Sequence, residues 1–146
     1  MSWWGQMVRA WGSEMNAADR TRVVLAWGFV FGCVSHIGWV IAHGDVWYHG
    51  PGPVWAPWFW YSICLIDLIV FWLLLAHPRA GIIVAVATMM TTLIVNWTQF
   101  PTFQFHFNYV LIGLTVFGVV VFATCAWLWT ASRWKLSQKS SGQSAG

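Results

Sequence analysis

Apolar residues fall along this chain in four long stretches separated by short polar breaks. The stretches cover about residues 22–42, 57–76, 80–99 and 108–130. Each matches the roughly 17–25 residues that a helix needs to cross the hydrocarbon of a bilayer. Backbone polar groups in lipid must be paired within their own segment, so each stretch predicts a helix. The connection His77-Pro78-Arg79 has room only for a tight turn, which makes the second and third spans antiparallel neighbours. The expected fold is an all-α membrane protein, a four-transmembrane-helix bundle running up-down-up-down. Residues 1–134 form its single domain, and the Ser/Gly/Gln-rich residues 135–146 are expected to be a disordered cytoplasmic tail.

Residues 1–18 carry a different pattern. Trp3, Trp4, Met7, Val8, Trp11 and Met15 recur at helical spacing, with Gln6, Arg9, Ser13 and Glu14 on the other face. This predicts an N-terminal amphipathic helix lying in the membrane interface, with a flexible leader as the alternative. The segment has neither the compact apolar core nor the small-residue cleavage site of a signal peptide. Asn16, with Asp19 three residues on, is the expected N-cap of the first spanning helix.

Composition sets the solvent. Hydrophobic residues make up 59% of the chain and charged residues 8%, against about 25% charged in soluble domains. A water-soluble fold of this size has no means to cover so much apolar surface, so the lipid bilayer is the first partner. The seven basic residues are Arg9, Arg20, Arg22, Arg79, Arg133, Lys135 and Lys139. With four spans they all share one side, which places both termini in the cytoplasm of a bacterial-type inner membrane. Scattered flanking charges without a cluster exclude a nucleic-acid surface.

Trp47, Trp55, Trp58, Trp60 and Trp97 gather near the outer interface, and Trp27, Trp72, Trp127, Trp129 and Trp134 near the inner one. Both groups read as aromatic belts at headgroup level. Cys33, Cys64 and Cys125 lie inside spans at different estimated depths, and so read as free packing thiols.

Asp67 is the one acidic or basic side chain between Pro57 and Leu75. A carboxyl at bilayer depth costs at least ~2.5 kcal/mol, so it is expected to face a protein interior. In the first span Gly28, Gly32 and Ser35 form a small-residue stripe that suits internal packing and a homodimer seam equally. His36 and His43 flank it. In the third span Thr88, Thr92, Asn96 and Gln99 share one face. Asn96 is expected to find partners on a neighbouring helix. By depth, Thr88 and Thr92 bracket Asp67, and His36 and Asn96 lie nearer the outer side. The expected site is an outward-facing polar pocket ending at Asp67, lined by Ser35, His36, Thr92 and Asn96, with an Asp67–His36 pair within it. A buried clasp that only fixes helix register is the alternative.

The outer loops add His43, Asp45, His49 and His106, whose side chains suit zinc, copper or iron but match no metal motif. Haem between His106 and His36 or His43 lacks depth-matched histidines on facing helices. No cofactor is assigned. The absence of a Cys-x-x-Cys, a nucleophile-plus-base set or a carboxylate pair speaks against an enzyme. The expected role is a binding or transport-associated protein taking a small ligand or a proton. The alternatives are an accessory subunit of a larger membrane complex, or a metal- or haem-binding redox protein.

Overall fold

The computed structural model of the chain describes residues 16–43, 55–103 and 108–143. Among these residues there are four helices: α1 Ala17–His43, α2 Ala56–Ala76, α3 Pro78–Phe103 and α4 Asn108–Gln143. All four are long and apolar enough to cross a membrane. Each packs on its chain neighbour, and α4 closes back on α1, so the bundle runs up-down-up-down. The expected interfacial helix over residues 1–15 lies outside the described residues.

Local chemistry explains the ends. Asn16 caps α1 as expected, its Oδ1 accepting the Asp19 N–H at 3.0 Å. Arg22 then reaches back one turn to the Asp19 carboxylate at 3.2 Å. At the other end of α2, His77 precedes a proline and leaves the helical region, at φ −133° and ψ 73°. Its N–H still donates to Leu73 O at 2.8 Å, and its carbonyl accepts from Gly81 N–H at 2.9 Å. Pro78 opens α3 at the position where a missing N–H costs nothing. One residue therefore turns the chain.

That turn forces the backbones together. A Cβ built on Gly81 would lie 2.5 Å from Leu74 N and 2.6 Å from its Cα. Only glycine fits this crossing, a requirement the sequence pattern had not flagged.

The continuous core lies in the half of the bundle that holds this turn. It joins Leu25, Ala26 and Phe29 of α1 to Val70 and Leu74 of α2, Ile82, Ala85 and Met89 of α3, and Val121, Cys125 and Leu128 of α4. The outward faces are apolar on every helix: Val24, Phe31 and Ile41, Trp58 and Leu65, Ile83 and Ile94, Ile112 and Val119 are all exposed. Soluble monomers rarely expose contiguous apolar patches beyond a few hundred Å². These faces meet lipid.

The fourth helix is the longest, and one tryptophan needs correction. The helix of the fourth span continues to Gln143. No glycine or proline interrupts the chain between Thr130 and Ser141, and the i→i−4 bonds simply propagate. Trp60, assigned to the outer belt, is buried and packs edge-on against Phe59 at 5.2 Å between ring centroids. Trp55, Trp58 and Trp97 near that end are exposed, as are Trp27, Trp72 and Trp127 near the other.

Candidate functional site

Asp67 lies where α1, α2 and α3 meet. Its register against α3 follows from the Gly81–Leu74 crossing. Seven residues back along α2 from Leu74 is Asp67, and seven forward along α3 from Gly81 is Thr88. Seven residues are about two turns, so both side chains return to the face that made the contact, at the same depth. Asp67 and Thr88 thus stand at one depth, on the α2 and α3 sides of the seam. Thr92 follows one turn further toward the loop end of the bundle.

All three are deeply buried, with Asp67 6%, Thr88 8% and Thr92 6% exposed. On the α1 side the carboxyl lies against Gly32, where a Cβ would come 3.1 Å from Asp67 Oδ2. The small-residue stripe of α1 is therefore spent inside the bundle. Gly28 faces the Phe117 ring of α4, 2.9 Å from a Cβ in its place. Ser35, by contrast, is exposed, and its hydroxyl donates to Phe31 O in its own helix at 2.8 Å.

The polar partners differ from expectation. Among the described residues the ion pair within 4.0 Å is Arg22–Asp19, so Asp67 and His36 do not pair directly. His36 is half-buried one turn beyond Gly32. The Asn96 amide, expected to reach across an interface, donates to Thr92 O one turn back in its own helix at 2.7 Å. An i, i+4 carbonyl lies nearer than any neighbouring helix. Among the described residues, no hydrogen bond involves the Asp67 carboxyl or the Thr88 and Thr92 hydroxyls.

These oxygens are nonetheless not sealed. Among the described residues, Arg22 Nε is the fully enclosed side-chain nitrogen or oxygen that has no partner. The oxygens of Asp67, Thr88 and Thr92 are therefore not completely enclosed by protein, though their residues are more than nine-tenths buried. Asp67 of α2 and Thr88 and Thr92 of α3 are the buried polar side chains among the described residues.

A further neighbour was missed by depth counting. Cys64, three residues from Asp67, places its Sγ 3.9 Å from the carbonyl oxygen of Cys33, next to Gly32. The antiparallel run of α1 and α2 brings these two thiols to one level, while Cys125 lies apart in the core. All three are free thiols.

His36 is the described member of the histidine set. The His43 side chain, Asp45, His49 and His106 lie outside the described residues. Among the described residues, no three histidines, cysteines or acids come together as a metal site. Gly113 of α4 has nothing within 4 Å of a Cβ in its place.

Comparison of the chain with protein-family models, curated proteins and solved structures found no match. Fold and surface define the class: a small four-span integral membrane protein in contact with lipid.

Proposed function

We propose that the crevice at Asp67 is a ligand-binding site in a binding or transport-associated membrane protein. One observation carries this reading. Asp67, Thr88 and Thr92 are buried at mid-bundle, make no hydrogen bond among the described residues, and keep their oxygens open. A clasp that only fixes register would satisfy its polar groups within the protein, because an unmade buried bond costs about 1–3 kcal/mol. Side chains left open at such depth suit a partner that comes and goes.

The split of the bundle supports the same reading. The half holding the His77 turn is filled by one continuous apolar core, the buried apolar residues toward the loop end (Cys33, Trp60, Ile63 and Leu111) lie outside it, and Asp67 falls between the two. Arg20, Arg22, Arg79, Arg133, Lys135 and Lys139 all sit toward the turn end, which supports a cytoplasmic placement of that end and an outward-facing crevice.

The test is chemical access to Asp67. Dicyclohexylcarbodiimide, a small apolar reagent, converts a reachable membrane carboxyl to a stable N-acylurea. Membranes holding the full chain should yield one adduct on the α2 peptide, absent in Asp67→Asn. An Asp67 that stays unlabelled in native membranes and reacts only after denaturation overturns the reading in favour of a structural clasp.

A further inference from the structure

We infer that Cys33 and Cys64 form a dithiolate site for a soft two-coordinate metal ion, with divalent mercury the best fit. The inference stands apart from the reading of Asp67. It begins with the pair itself. The Cys64 thiol lies 3.9 Å from the Cys33 carbonyl oxygen and within hydrogen-bonding reach of the Cys33 thiol. Two free thiols from different helices therefore meet across the α1–α2 seam. Cys33 is 4% exposed and Cys64 half-buried, so Cys64 offers the way in.

The number of donors limits the metal. Cys125 belongs to the core cluster, and among the described residues no three histidines, cysteines or acids gather. Structural zinc takes four ligands. Iron–sulfur clusters are held by four as well. Thiolate sulfur selects soft ions, and those with a filled d shell, monovalent copper and silver and divalent mercury, are satisfied by two thiolates in a linear unit. Such a unit spans about 4.6 Å, twice a metal–thiolate bond of about 2.3 Å. Thiols already within hydrogen-bonding reach need only a small side-chain rotation to hold it.

Charge ranks these ions. The thiolate, not the thiol, is the strong ligand. Two thiolates and one divalent ion make a neutral complex, which at bilayer depth needs no countercharge from Asp67 or His36. Monovalent copper or silver leaves one negative charge to compensate, or a neutral thiol as a weak second donor.

Loading is a thiol exchange. Mercury(II) carried by two small thiolates passes to Cys64 and then to Cys33. Two sulfur–mercury bonds break and two form, and each protein thiol's proton leaves on a released carrier thiol. No electron moves.

The experiment offers mercury(II) as its bis-glutathione complex, with excess free glutathione, to membranes holding the full chain. After washing and purification in mild detergent, one mercury per chain should remain. X-ray absorption at mercury should show two sulfur neighbours and no third ligand. Cys33→Ala and Cys64→Ala should each lose the metal to about a hundredfold less glutathione, since a second thiol on the same chain acts at high effective concentration. Cys125→Ala and Asp67→Asn should hold it as the wild type does.

The wild-type spectrum carries the test even where a variant fails to fold. The inference fails if glutathione strips the wild type as readily as the single variants, or if a third ligand appears. It fails also if Cys125→Ala or Asp67→Asn releases the metal.

Discussion

The carboxyl of Asp67 lies against the bare backbone of Gly32, 3.1 Å from where a Cβ would stand. The nearest atom is the end of a side chain, which has room to move by a few tenths of an ångström. Gly32→Ala should therefore cost little stability, below about 1.5 kcal/mol. It should still change the site, because the carboxyl must turn toward α3. The expected outcome is a normally folded protein whose Asp67 labels at an altered rate. An unchanged rate would mean that Gly32 does not shape the crevice.

Gly81 makes a harder contact. Its neighbour at 2.5–2.7 Å is the backbone of Leu73 and Leu74, which yields only if the helices separate. Gly81→Ala should destabilise the bundle by about 1–3 kcal/mol, seen as a lower melting temperature in detergent. Gly113→Ala, at a position with open space, is the control and should be neutral or mildly stabilising.

Trp60 and Trp58 are two residues apart on α2 and differ in kind. Trp60 is 7% exposed and Trp58 73%. Trp60→Ala leaves a cavity inside the bundle and should cost about 3–5 kcal/mol. Trp58→Ala removes only lipid contact. Denaturation of the two variants in detergent should separate them clearly, and equal losses would contradict the burial of Trp60.

The thiols of Cys33 and Cys64 share a level on α1 and α2. Oxidation of native membranes with copper phenanthroline and oxygen should join them, removing two protons and two electrons. Mass spectrometry after maleimide treatment of the denatured chain should then show Cys125 as the one alkylated cysteine. Full alkylation of all three would place the two sulfur atoms too far apart to bridge.

Much of this fold is legible along the chain. The four spans, the tight turn at His77 and the Asn16 cap follow from residues close in sequence, and each appears within a few positions of its expected place. The depth match of Asp67 with Thr88 is also legible, since α2 and α3 are linked by a single residue and counting along helices of fixed rise suffices. Where the linker is long or the partner lies elsewhere in the chain, counting fails. Cys33 and Cys64 are joined by a loop of uncertain reach, so their shared level was missed. Asn96 found a carbonyl in its own helix, and Trp60 turned inward, because the rotation of each helix about its axis is not set by hydropathy alone.

The sequence by itself determined that this protein is a set of membrane-spanning helices with one acid at depth, because lipid demands long apolar runs and internal backbone pairing. Only the tertiary structure decided which faces turn inward. Close contacts at Gly81 and Gly32 set the helices in rotation and register, and so bring the Asp67 carboxyl against Gly32 of α1 rather than into a pair with His36. Hydropathy treats every face of these helices as nearly alike. Steric fit does not.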